Sequence, residues 1–152
     1  MRTRSMTNSF AASLKRWHKP AALLRKWHFE HNLRQQCRTI AALRARPEAA
    51  ALLTALQTAR IPVAVYSDYE HVAEKMAAIR LQPKDYGISP DHLYGPEHFG
   101  ALKPAARPFR LIAEALGVPA EKVGKIIVVG DRDDTDGEGA RNAGMRFLQV
   151  SG

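Results

Sequence analysis

No aspartate precedes Asp68 in this chain, and no acid of either kind precedes Glu30. Cysteine is nearly absent: Cys37 stands alone, which excludes an internal disulfide and fits a reducing compartment, so a cytoplasmic location is expected. Long apolar runs are missing too. Stretches such as residues 49–53 and 126–129 fall far short of the roughly 20 residues that a membrane span needs, so a soluble protein with no membrane partner is expected. His18, His28, His31, His71, His92 and His98 follow no metal-ligand spacing, which argues against a zinc site.

What remains is a chain of 152 residues with 45% hydrophobic content, enough for one domain with a modest core. Its charge is divided sharply. Residues 1–60 hold 12 Lys or Arg against Glu30 and Glu48, a net +10, whereas residues 61–152 hold 11 against 13, a net −2. The basic character therefore belongs to the N-terminal part. Its mixture of Arg, Ser, Thr and Ala also matches an organellar transit peptide, but a solvated basic helical region is the simpler reading.

Apolar residues Leu14, Trp17, Leu24, Trp27, Leu33, Ile40 and Leu43 recur at roughly helical intervals, interrupted at Pro20, and predict two or three helices over residues 10–44. Pro47 opens a further helix that runs to Arg60. Beyond it, strands and helices alternate. Strands are predicted over residues 62–66, 92–94, 126–129 and 147–150. Helices are predicted over residues 70–81, 104–116 and 139–143, the second capped by Gly117. This alternation argues for a parallel, doubly wound α/β sheet of Rossmann-like form.

Three constellations carry chemistry. An apolar run ends in a hydroxyl at Val63-Ala64-Val65-Tyr66-Ser67, and a lysine stands at a loop-to-helix junction in Lys103-Pro104. The third is the acidic stretch Gly130-Asp131-Arg132-Asp133-Asp134-Thr135-Asp136 after the clearest apolar run. In open parallel sheets, ligands bind outside the carboxyl ends of the strands, so Ser67 and Asp131 are expected to share a crevice. Four carboxylates in six residues repel one another unless a cation or a lysine neutralises them, and a hard ion such as Mg2+ suits them.

With these residues in view, residues 47–152 resemble the C-terminal two thirds of a haloacid dehalogenase-like (HAD) hydrolase. The family's second motif matches the run ending at Ser67. Its third matches Lys103, Pro104 and Phe109. Its fourth matches Gly130, Asp131, Asp136, Gly139, Ala140, Ala143, Gly144 and Met145 without a gap. Arg132, Ala106 and Asp68 depart from the commonest family residues. The resemblance implies that Ser67 and Lys103 bind the transferring phosphoryl group and act in catalysis, and that Asp131 and Asp136 hold Mg2+.

The family's chemistry begins with an aspartate nucleophile at the end of a first, central strand, with a second aspartate two residues later. Residues 1–60 contain neither. The reading is therefore a basic helical region over residues 1–46, a cap remnant or tail, followed by a HAD-like core over residues 47–152 without its first strand. Losing such a strand removes about four or five buried side chains, each worth roughly 1.5–3 kcal/mol. Three remedies are open: the flanking strands pair directly in a narrowed sheet, a partner chain or second copy supplies a strand, or further sequence precedes this stretch.

The expected function is Mg2+-dependent hydrolysis of a small phosphorylated substrate, with this chain inactive alone. The alternatives are a non-catalytic remnant that binds phosphate or Mg2+, and a basic module that contacts nucleic acid. Trp17 and Trp27 in basic surroundings fit the last, but a core-facing helix with solvated Lys and Arg produces the same pattern and is preferred.

Overall fold

A computed structural model describes residues 21–151. Expectations for Trp17 and for helix before Pro20 lie outside the described residues. Helix α1 spans Ala21–Ile40, and α2 spans Pro47–Thr58 with proline in its first turn, where a missing N–H costs nothing. Strand β1 (Val65–Tyr66) follows, then α3 (Val72–Ala78), β2 (Leu93–Tyr94) and α4 (Ala106–Ala115). The chain then forms β3 (Ile127–Gly130), a π-helical turn (Asp133–Gly137), α5 (Glu138–Asn142) and β4 (Arg146–Gln149). Single turns of 3-10 helix, such as Pro83–Tyr86 and Pro96–His98, fill the connections.

The strands are parallel, as the alternation implied, but they do not form one doubly wound sheet. Val65 and Tyr66 pair with Leu93 and Tyr94 in one two-stranded sheet, while residues 127–130 pair with residues 146–149 in another. Among the described residues β1 and β3 are not paired, so direct pairing in a narrowed sheet is not how the chain responds. In a parallel ladder, successive residues direct their N–H and C=O groups to alternate sides. Among the described residues β1 and β3 each meet a strand on one side only, which leaves the other edge of each without a strand partner there.

Two small cores result. Phe109, Ala113, Ala140, Ala143 and Met145 form the first, joined by the half-buried Tyr66, Val128 and Phe147. Val72, Ile88 and Leu93 form the second, joined by Val63, Val65 and Met76. Adjacent side chains of a strand point to opposite faces, which is why Val65 enters one cluster and Tyr66 the other. The same alternation turns Val128 towards the core, half-buried, and leaves Ile127 and Val129 about half exposed.

Helix α4 presents Phe109 and Ala113 to the first core and ends before Gly117, whose φ is 70°. A Cβ at Gly139 would stand 2.6 Å from Phe109 Cζ, so only glycine lets α5 come this close to α4. That contact fixes the acidic loop, which lies between β3 and α5, over the same core that carries Tyr66.

Candidate functional site

Parallel strands place their carboxyl ends on one side, and here those ends meet at Lys103. Ser67 follows β1 and donates its backbone N–H to Tyr94 O at 3.0 Å, which ties the end of β1 to β2. Ser67 Oγ accepts the Tyr69 N–H at 3.0 Å, a local turn that leaves the hydroxyl proton free to donate elsewhere. Asp68 Oδ1 accepts the backbone N–H of Lys103 at 3.1 Å. The segment bearing the lysine is thus pinned to the loop bearing the serine.

The Lys103 ammonium is 2.6 Å from Asp136 Oδ1, and both side chains are largely buried, 13% and 11% exposed. Lys103 Nζ also lies 4.9 Å from the centre of the Tyr66 ring, a cation over an aromatic face. Tyr66 itself is held edge-on between Phe99 and Phe109, at 5.5 and 5.6 Å. Its hydroxyl is pushed from the ordinary 10.0 up to about 12, mainly by burial and secondarily by the Asp68 carboxylate.

The sign of this shift sets a pH dependence. The folded pKa lies above the unfolded one, so Tyr66 contributes stability that is complete below pH 10.0 and drains away as pH rises towards about 12. The urea midpoint of the wild type is expected to fall through this alkaline window more steeply than that of Tyr66→Phe. Parallel curves for the two proteins would contradict the assignment.

Of the four clustered carboxylates, three are neutralised by the protein's own cations. Asp133 pairs with Arg141, Asp134 with Arg132, and Asp136 with Lys103. The hydrogen bonds from Arg141 and Arg132 hold Asp133 and Asp134 below their ordinary pKa. Among the described residues only Asp131 of the four lacks an ion pair. It is exposed at the end of β3, and its backbone carbonyl accepts from Gln149 Nε2 at 3.1 Å.

Gly130 makes this arrangement possible. A Cβ there would fall 2.7 Å from Asp136 Cβ, so the bare backbone allows Asp136 to fold back over the strand end. Arg132 N–H reaches Asp136 Oδ2 at 3.4 Å from the same turn.

Lys103 and Asp136 therefore touch, Ser67 is one residue from the Asp68 that anchors Lys103, and Asp131 adjoins the turn that anchors Asp136. Asp68 and Tyr66 were not foreseen as parts of the site. Asp68 was read only as a departure from a motif, and a tyrosine within an apolar run carries no signal that a lysine distant in sequence will lie over it. Among the described residues no three His, Cys, Asp or Glu side chains converge to hold a metal ion. Asp131 and Asp136 make an incomplete shell for a hard cation, which takes six or more oxygen ligands, although water or a bound phosphate supplies such oxygens readily.

With this geometry in hand, comparison identifies the class. A family model for haloacid dehalogenase-like hydrolases matches residues 8–144, and the chain belongs to that family. The match extends through the basic helical region as well as the α/β part. Enzymes of this family generally use Mg2+.

A solved structure of a HAD family hydrolase from Deinococcus radiodurans R1, with bound phosphate and sodium, is similar in fold. Identity is 24% and the TM-score 0.60, over 95% of this chain and 60% of that one. The chain thus spans about 60% of that protein's length. Curated proteins give no match. No helix among the described residues is long and apolar enough to cross a membrane.

Proposed function

We propose that this chain carries the phosphate-binding and cation-binding half of a phosphatase-type site and acts on a small phosphorylated substrate in a reducing, cytoplasmic setting. The observation that carries the reading is the buried Lys103 ammonium, held between the Tyr66 ring and Asp136 where the carboxyl ends of β1 and β3 meet. An ammonium fixed in this way offers charge to a phosphoryl group with little reorganisation, which is the main protein contribution to phosphoryl transfer. Ser67 donates its hydroxyl proton to a phosphoryl oxygen. Asp131 and Asp136 hold Mg2+, which when bound neutralises phosphate charge.

The attacking carboxylate comes from outside the described residues. A partner chain of different sequence supplies an extended segment that enters between the edges of β1 and β3, converting two small sheets into one doubly wound sheet. Its terminal aspartate attacks phosphorus and forms an aspartyl-phosphate. The ester oxygen leaves with a proton from a second acid, and water then releases inorganic phosphate. Helix α1 is what remains of a substrate-selecting cap.

Titration of the purified chain with inorganic phosphate, followed by calorimetry with and without Mg2+, tests the binding half of this reading. Phosphate is expected to bind more tightly with Mg2+ present, and Asp131→Asn should remove that enhancement without shifting the unfolding midpoint. Ser67→Ala should weaken phosphate binding in both conditions. Absence of phosphate binding, with and without Mg2+, would overturn the assignment.

A further inference from the structure

Helix α1 has one face against the body and one face in solvent, and the second is chemically unusual. Leu33, Cys37 and Ile40 are half-buried, with Cys37 Sγ 4.0 Å from Glu74 O of α3. On the far side Leu23, Trp27, His31, Arg34 and Arg38 recur at intervals of four, four, three and four, the spacing that lines one helical face. All five are exposed, Trp27 at 64%. This corrects the core-facing reading of Trp27: the indole does not enter either core.

An exposed tryptophan gains nothing from water, yet here it is organised. The Trp27 and His31 rings stack on each other at 5.2 Å with planes 5° apart. Arg34 and Arg38 continue the same face. Glu30 is the single acid of the helix, against Arg25, Lys26, Arg34 and Arg38. The stripe from Leu23 to Arg38 is roughly 22 Å long at the α-helical rise.

From this juxtaposition we infer that the outer face of α1 binds single-stranded nucleic acid, with a base stacked on the outer face of the Trp27–His31 ring pair and backbone phosphates on Arg34 and Arg38. Flat aromatic surfaces interleaved with cations are what single strands require, because every base offers a π-face and every nucleotide a negative charge. An acidic protein segment would use the cations but leave the stacked rings idle. This inference is independent of the phosphatase reading, since none of these residues belongs to the cluster around Lys103.

The full chain should raise the fluorescence anisotropy of a labelled single-stranded oligonucleotide, about 12 nucleotides long to span a typical site. Binding is expected to fall with salt at a logarithmic slope of about −1.4, near −0.7 for each of two neutralised phosphates. Trp27→Ala should weaken binding about ten-fold, and Trp27→Phe should recover part of the loss through its smaller ring. Reversing both charges with Arg34→Glu and Arg38→Glu should make the salt slope shallower by about 1.4.

Circular dichroism should report unchanged helix content in each variant, because all of these side chains face solvent. The inference is overturned if no binding occurs at low salt, or if Trp27→Ala binds as well as wild type. Equal displacement of the oligonucleotide by polyglutamate of the same charge would also overturn it, by showing an acidic-protein surface instead.

Discussion

The purified 152-residue chain is expected to release phosphate from p-nitrophenyl phosphate roughly a million-fold more slowly than a competent enzyme, the scale of loss when an attacking group is removed. The reason lies in where its carboxylates are committed. Asp68 accepts a backbone N–H from Lys103, Asp133 and Asp134 are locked on arginines, and Asp136 is paired with Lys103. Of the four carboxylates after β3, only Asp131 lacks an ion pair among the described residues, and it is exposed next to Arg132 in sequence. Charge stabilisation without a nucleophile leaves the P–O bond to water.

Adding an apolar peptide that ends in Asp-x-Asp should raise the Mg2+-dependent rate, whereas the same peptide ending in Asn-x-Asn should bind without raising it. Enzyme-like turnover by the unaided chain, abolished by Asp131→Ala, would sink the idea that the nucleophile comes from elsewhere. Rate gain from both peptides would show that the added strand merely stabilises the fold.

Much of this site was legible because its parts are local. β3 was readable as a continuous β-branched run, and the turn after it as a Gly-Asp motif at a fixed spacing from Gly139 and Ala140. What was illegible depends on contacts between segments far apart in the chain. That Arg141 and Arg132 would take Asp133 and Asp134 out of play follows from a π-helical turn, whose extra residue per turn re-aims the side chains.

That the described strands would fall into two sheets likewise depends on contacts between distant segments. Strand propensity says where a strand lies, not which strand it meets. Trp27 fails for a related reason: helical periodicity identifies a face, but an indole beside Arg and Lys reads the same whether that face meets a core or solvent.

Replacing Lys103 by Met is expected to destabilise the fold by about 3–5 kcal/mol, the cost of leaving a buried carboxylate unpaired. The Asp136 side chain is 11% exposed and has lost most of its hydration, and its remaining partner would be the weak 3.4 Å contact from Arg132 N–H. An ordinary domain has about 5–15 kcal/mol in total, so the variant should unfold at much lower urea. The double variant Lys103→Met, Asp136→Leu should recover most of the loss, since no charge then remains to be solvated.

By contrast, Arg132→Gln breaks a pair whose side chains are 62% and 66% exposed and should leave the midpoint unchanged. A double variant no better than Lys103→Met would show that the ammonium is held by packing over Tyr66 rather than by Asp136. If an apolar pair is as stable, stability alone does not explain a buried lysine and aspartate at the meeting point of two strands. The function that does is an ammonium desolvated, oriented and waiting for an anion at the mouth of the crevice, and the recovered double variant should therefore fold well yet fail to bind phosphate.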